Sequence, residues 1–167
     1  MFTPDYLLPS VFSINIKFLR DNNINAIIFD IDNTLVGFTV AEPTREIKEF
    51  INHLKNNGIK IAIASNNNAN RVGVFCKDLD VLYISRACKP LPFALVKLCK
   101  LMGVKTKNTL LVGDQVYTDM LGANICGMLS VMVDIIDTKE TFTFKIKRAL
   151  EKPVINAKRR KDAKNNG

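Results

Sequence analysis

The sequence lacks the residue patterns that several classes of site require. It has one histidine, His53, and four cysteines without a C-x-x-C pair, so we do not expect a structural zinc site. It has no run of 18 uncharged apolar residues, which argues against a membrane-spanning helix. Its first residues lack the charged and long apolar segments of a secretory signal. We therefore expect a cytoplasmic protein.

Excess charge is missing from most of the chain, although the formal net charge is +8. From Lys145 onward, the chain contains nine lysines and arginines but only two acidic residues. In the preceding residues the numbers of basic and acidic side chains are nearly equal. This distribution argues against a basic groove across the fold, and we do not expect nucleic acid as a partner of the folded domain. The basic end of the chain is a separate question.

Short apolar runs alternate with segments of helical periodicity. In 43–58, for example, Ile47, Phe50, Ile51 and Leu54 fall on one helical face. The alternation predicts an α/β fold in three Rossmann-like layers, with a five-stranded parallel sheet and helices on both faces. The predicted strands are 25–31, 59–65, 81–85, 109–114 and 129–134.

Polar side chains stand at the ends of three predicted strands. Asp30 and Asp32 end the first strand, Ser65 and Asn66 end the second, and Asp114 ends the fourth. In open parallel sheets, functional residues lie at the carboxyl ends of the strands. Burying a carboxylate is costly unless it is paired or bound to a metal, so this grouping predicts a site.

The composition divides the chain into three parts. Residues 1–24 are predicted to form an N-terminal arm that packs on the core, since their apolar positions show no clean period. Residues 25–150 form the predicted domain. Residues 151–167 become charged and polar after Pro153 and are predicted to be a disordered basic tail.

Four motifs in order resemble those of the haloacid dehalogenase (HAD) superfamily of phosphatases. The resemblance is to its capless class IIIA branch of YqeG-like proteins and, more distantly, to fungal mitochondrial phosphatidylglycerophosphate phosphatases, and it extends from about Asp5 to about Asp137. The segment "PDYLLPSVFSI" resembles the entry segment of that branch. The motifs are "DIDNTLV" (30–36), "SNN" (65–67), "KP" (89–90) and "GDQVYTD" (113–119).

The resemblance implies a role for each acidic residue. Asp30 would be the nucleophile that forms an aspartyl-phosphate, and Asp32 would protonate the leaving group and later activate water. The expected Mg²⁺ ligands are Asp30, the backbone carbonyl of Asp32, Asp114 and Asp119, the last directly or through water.

The resemblance also implies phosphate-binding groups and an open site. Lys89 would hold the acidic site and the phosphoryl group together, and Ser65 and the Asn66 amide would bind phosphoryl oxygens. The spacings between the motifs leave no room for a cap domain. An open site can accept a phosphate group that is part of a large molecule or assembly.

Each of these residues, considered individually, also has a simpler structural interpretation. Asp30 and Asp32 could form a solvated turn or the metal-binding D-x-D of a glycosyltransferase. The remaining residues could serve as a helix N-cap (Asp114), as turn formers (Ser65 and Asn66), as a surface lysine (Lys89) and as a solvated helix residue (Asp119).

The function implied is that of a Mg²⁺-dependent phosphomonoester hydrolase, with phosphatidylglycerophosphate as one candidate substrate. The basic tail could then contact an anionic membrane peripherally, or it could be a solvated end without a partner. A soluble phosphatase of small molecules would also fit the motifs. A third candidate is a HAD-fold protein that mainly binds RNA or a ribosomal partner through "KRRK" (158–161).

Overall fold

The computed structural model describes residues 3–137 and 142–165. The strands are β1 (Tyr6–Leu8), β2 (Ala26–Phe29), β3 (Lys60–Ala64), β4 (Leu82–Ile84), β5 (Thr109–Gly113) and β6 (Leu129–Val133). The α-helices are α1 (Ile16–Asp21), α2 (Arg45–Asn56), α3 (Ala69–Cys76), α4 (Phe93–Met102), α5 (Leu121–Cys126) and α6 (Phe142–Asn165). Two 3₁₀ turns (Val11–Ser13 and Thr106–Asn108) and one π-helical turn (Val116–Met120) complete the described elements.

All strands pair in parallel in one sheet, in the order β1-β6-β5-β2-β3-β4. The five predicted strands are confirmed, but the predicted strand number was wrong by one because β1 joins the sheet at its edge beside β6. Three residues are too few to show a period in the sequence. Asp5 stabilises this pairing, since its carboxylate accepts hydrogen bonds from the backbone N–H and the hydroxyl of Ser130.

The two faces of the sheet carry different cores. Along β2, Ile27 and Phe29 belong to a core that includes side chains of α1, α2 and α3. Ala26 and Ile28 belong to the opposite core, with side chains of α4 and α5. Alternate residues of a strand point to opposite faces, so this fully buried run separates two helical layers. The predicted three-layer α/β architecture is confirmed.

The C-terminal segment differs from its prediction. The chain is helical through Asn165, so the predicted disorder of 151–167 is wrong for the residues described up to that point. Charge composition misled the prediction, because the helix needs few apolar positions to dock. Val154 and Ile155 pack against Val116, Met120 and Met132.

Polar contacts also join α6 to the π-helical turn. The buried carboxylate of Glu151 accepts a hydrogen bond of 2.8 Å from the backbone N–H of Val116. The Tyr117 hydroxyl donates to the carbonyl of Leu150 at 3.1 Å. α6 therefore supports the start of the turn that follows β5.

The carboxyl ends of β2, β3 and β5 lie side by side, because β2 pairs with both of the other strands. The chain runs from β2 to α2 through residues 30–44, and α3 connects β3 to β4. Within residues 3–137 no inserted domain interrupts these connections, as expected for a capless chain. Among the described helices, none combines the length and apolarity needed to cross a bilayer.

We expect Glu151→Ala to lower the free energy of unfolding by about 1–3 kcal/mol, because the buried N–H of Val116 loses its acceptor. Lys152→Ala is the matched control, since Lys152 is the exposed neighbour on the same helix and should change stability by less than about 0.5 kcal/mol. Denaturant unfolding measures both. Equal stabilities of the two variants would contradict a stabilising role for the hydrogen bond between Val116 and Glu151.

Candidate active site

A cavity of about 260 Å³ opens at the carboxyl ends of the central strands. Five of the predicted site residues line it, and they come from the ends of β2 and β3 and from the loop after β4. The residues that line it are Asp30, Asp32, Phe38, Ser65, Asn66, Asn67, Lys89, Gln115 and Thr118. The other two predicted site residues, Asp114 and Asp119, are not among the lining residues, and their carboxylates lie beside that of Asp30.

Asp30 lies directly after β2 and is held by the neighbouring strand. Its backbone N–H donates to the carbonyl of Val112 at 3.0 Å, which continues the ladder between β2 and β5. Asp30 is 6% exposed, and Lys89 Nζ lies 3.0 Å from its Oδ1. Burial raises the pKa of Asp30 to about 6, with Lys89 opposing the rise and Asp119 adding to it. At neutral pH this carboxyl is therefore largely ionised.

Lys89 is a buried cation between two carboxylates. Besides Asp30, its ammonium contacts Asp119 Oδ1 at 2.6 Å. Burial opposes the charged form, but the carboxylates of Asp119 and Asp30 raise the pKa of Lys89 above its ordinary value. The interpretation of Lys89 as a plain surface lysine is wrong.

The Asn66 side chain fixes the backbone of Lys89. Its Oδ1 accepts from the Lys89 N–H at 2.7 Å, and its Nδ2 donates to the Lys89 carbonyl at 3.0 Å. These two bonds aim the lysine from its loop into the acidic cluster. Ser65 Oγ is buried and accepts from the Asn67 N–H at 3.2 Å, so this hydroxyl has a turn-forming contact as well as a place at the cavity.

The π-helical turn returns Asp119 to the end of β5. Both the Asp119 and Met120 N–H groups donate to the carbonyl of Gln115, which widens the turn. The Asp119 carboxylate then accepts from the Gln115 N–H at 3.2 Å. Asp119 is fully buried, so its interpretation as a solvated helix residue is wrong. A Cβ at Gly113 would overlap the Asp119 side chain, which explains glycine at the last residue of β5.

Three buried carboxylates could hold a metal ion. One oxygen each of Asp30, Asp114 and Asp119 lies within 4.8 Å of the others. With Lys89, these groups carry a formal excess of two negative charges, which a divalent cation would balance. Carboxylate oxygens are the ligands that Mg²⁺ prefers, so the donor set fits this ion. Asp114 does not cap the turn that follows, because the capping position belongs to Gln115.

Asp32 is separate from this cluster of three side chains. Its Oδ1 accepts from Arg71 Nη2 at 2.9 Å and Nε at 3.3 Å, and its Oδ2 accepts from Asn67 Nδ2 at 3.1 Å. At 7% exposure it is not a solvated turn residue. Its expected part in metal binding was through its backbone carbonyl, and this part stays a prediction.

Several site residues escaped the sequence analysis. Asn67, Gln115 and Thr118 were inside the quoted motifs and could have been inferred from their neighbours. Phe38 belongs to the loop 30–44, where no periodicity indicates which side chain turns inward. Arg71 lies in the first turn of α3, and no pattern in the sequence links it to Asp32.

Comparisons with known proteins identify the family of the chain. Residues 36–127, more than half of the chain, match the haloacid dehalogenase-like hydrolases. The match begins after Asp30 and Asp32 and includes Ser65, Lys89, Asp114 and Asp119. The chain is 33% identical over 160 residues to "Probable phosphatase YqeG" of Bacillus subtilis (strain 168), covering 96% of this chain and 93% of that protein.

Solved structures share the fold at low sequence identity. A HAD-superfamily hydrolase from Ehrlichia chaffeensis superposes with a TM-score of 0.58 at 18% identity, over 75% of this chain and 95% of that one. The cobalt-bound deoxy-D-mannose-octulosonate 8-phosphate phosphatase of Haemophilus influenzae gives 0.57 at 22% identity, over 66% and 69%. These likenesses concern the fold.

We expect Gly113→Ala to destabilise the protein by about 1–3 kcal/mol, because the added methyl overlaps the buried side chain of Asp119. Gly73→Ala is the matched control, since its Cβ would meet the Tyr83 hydroxyl at an ordinary 3.9 Å. Thermal unfolding of both variants measures the difference. A Gly113→Ala protein as stable as the control would contradict the close approach of the Asp119 side chain to Gly113.

We expect Asp30→Asn to raise the melting temperature of the metal-free protein at pH 8. The pKa of Asp30 is about 6 in the folded protein, whereas its ordinary value is 3.8, so its ionised form disfavours folding above pH 6. That penalty fades as the pH falls from about 6 toward 4, and the advantage of asparagine should fade with it. Thermal unfolding in EDTA at pH 8, 6 and 4 tests this. A gain that is independent of pH would contradict it.

Proposed function

The chain belongs to the haloacid dehalogenase-like hydrolases, and from this premise we propose that it is a Mg²⁺-dependent phosphatase that works through an aspartyl-phosphate. The observation that carries the proposal is the buried trio of Asp30, Asp114 and Asp119 with Lys89 at the cavity. The similarity to a probable phosphatase along nearly the whole chain supports the same reaction class.

In the first step, an Asp30 carboxylate oxygen attacks the phosphorus of the monoester. The new bond forms between Asp30 and phosphorus, the bond to the leaving oxygen breaks, and its electron pair stays on that oxygen. Asp32 gives its proton to the leaving oxygen. Burial supports Asp30 as the nucleophile, since a desolvated carboxylate attacks more readily than a hydrated one.

In the second step, water attacks the phosphorus of the aspartyl-phosphate. Asp32, now ionised, takes a proton from this water, and the bond between Asp30 and phosphorus breaks. Inorganic phosphate leaves, and both carboxyl groups return to their starting state. Asp32 borders the same cavity as Asp30, which supports this exchange of protons.

The remaining groups supply positive charge and hydrogen bonds. Mg²⁺ held by Asp30, Asp114, Asp119 and the Asp32 carbonyl would shield the negative charge around the phosphoryl group. Lys89 neutralises carboxylates and reaches the cavity from its Asn66-supported loop. In this proposal the Ser65 hydroxyl and the Asn66 backbone amide bind phosphoryl oxygens, because the Asn66 side chain already bonds to the backbone of Lys89.

For the substrate, we propose a phosphate on a large group, with phosphatidylglycerophosphate as the first candidate. The connections within residues 3–137 contain no cap domain that would enclose a small molecule. The exposed cations of α6, Lys152, Arg159, Arg160, Lys161 and Lys164, would favour an anionic surface. In this proposal the protein is cytoplasmic and contacts the membrane peripherally.

A soluble small-molecule phosphatase is the alternative within the same chemistry. Binding of RNA or a ribosomal partner by α6 is an alternative of another class, and its signature would be an affinity that falls steeply with salt. Such binding without turnover of any monoester would replace the proposed function.

We expect wild-type protein with Mg²⁺ to release inorganic phosphate from at least one member of a monoester panel that includes phosphatidylglycerophosphate, sugar phosphates and nucleotides. EDTA should abolish the release and added Mg²⁺ should restore it. Asp30→Asn should lower turnover at least about 10⁴-fold, because the attacking carboxylate is gone. His53→Gln, on the exposed side of α2, is the control and should retain activity. Turnover that persists in Asp30→Asn would overturn the mechanism.

A further inference from the structure

On the premise of the proposed function, we propose that Arg71 is a positioning residue that sets the direction in which Asp32 exchanges protons with the leaving group and with water. The contacts of Arg71 with Asp32 and its anchoring by three further groups carry this role. One of these groups, the Ala41 carbonyl, belongs to the segment 30–44 at the cavity.

The Asp32 carboxylate is held at both oxygens. Two nitrogens of the Arg71 guanidinium, Nη2 and Nε, donate to Oδ1 at 2.9 and 3.3 Å. The Asn67 side chain donates to Oδ2 at 3.1 Å. A carboxylate fixed at both oxygens cannot turn freely about its side-chain bonds, so the direction of its lone pairs is set. The loss of Arg71 removes the restraint on one oxygen and leaves a single donor on the other.

The guanidinium is itself fixed. Its third nitrogen, Nη1, donates to the carbonyl of Ala41 at 2.9 Å. Its central carbon lies 5.6 Å from the ring centroid of Phe75, which is fully buried. The backbone of Arg71 is anchored too, because its N–H donates to the capping side chain of Asn68 at 2.9 Å. A planar group with three donors suits this geometry, whereas a lysine ammonium could not reproduce it.

Arg71 also joins the segment 30–44 to the site. Ala41 belongs to the segment 30–44, which contributes Asp32 and Phe38 to the lining of the cavity. Asp32 and Asn67 line the cavity, while Arg71 is not among the lining residues within the described chain. Arg71 is therefore expected to act through Asp32 and the loop, without touching the substrate.

This role has a consequence that general damage to the fold would not produce. A poor leaving group needs the proton of Asp32 as its bond to phosphorus breaks, whereas dinitrophenolate departs without one. Formation of the aspartyl-phosphate from dinitrophenyl phosphate should thus tolerate a misdirected Asp32. Its later hydrolysis should not, because the attacking water must still give a proton to Asp32.

The test compares wild type, Arg71→Met and Arg71→Lys on phenyl phosphate and dinitrophenyl phosphate with Mg²⁺. Arg71→Met should lower kcat/KM for phenyl phosphate about 100-fold, within the usual contribution of general acid catalysis, and change it less than about threefold for dinitrophenyl phosphate. For the latter ester, kcat and KM should fall together because hydrolysis of the intermediate becomes limiting. Arg71→Lys should show the same pattern with smaller losses, and it carries the test if the methionine variant does not fold.

Arg45→Met is the matched control, because Arg45 pairs with Glu49 on the exposed surface of α2; it should match wild type on both esters. Equal losses of kcat/KM on the two esters, or no loss on either, would overturn the positioning role and leave the phosphatase proposal intact. A wild type that hydrolyses neither ester nor any member of the monoester panel would overturn the proposed function and this role with it.

Discussion

Buried carboxylates that repel one another are the constraint on which the site depends. Asp30, Asp114 and Asp119 are held close together in a region shielded from water, where like charges interact more strongly than at the surface. Lys89 compensates part of this charge through ion pairs with two of them. The remaining negative charge makes the cluster suited to a divalent cation, and a phosphoryl group could approach only after such compensation.

The surrounding structure keeps this unfavourable arrangement in place. The carboxyl ends of the central strands lie at one edge of the sheet. There Asp30 continues the hydrogen-bond ladder between β2 and β5. A π-helical turn and a glycine at Gly113 bring Asp119 back to the same edge. The Asn66 side chain holds the backbone from which Lys89 extends. Glu151 of α6 supports the turn from outside the sheet.

Much of the fold could be predicted from the sequence because its strands are short apolar runs that end at polar residues. The strand β1 could not, since three residues show no period, and its pairing with β6 is supported by a contact between Asp5 and Ser130, which are distant in the sequence. The helical C-terminal segment was mistaken for a disordered tail because composition reports charge and not docking. Two residues, Val154 and Ile155, find apolar partners that are distant in the sequence.

The sequence by itself determined which side chains stand at the strand ends, and it placed Asp30, Ser65 and Asp114 at one edge through the rule for parallel sheets. It also carried the four motifs on which the resemblance to the family rests. Only the tertiary structure decided that Lys89 is buried between carboxylates and that Arg71 holds Asp32. The reason is that contacts between distant loops depend on backbone direction and on which side chains exclude water. The local periodicity of the chain predicts neither of these.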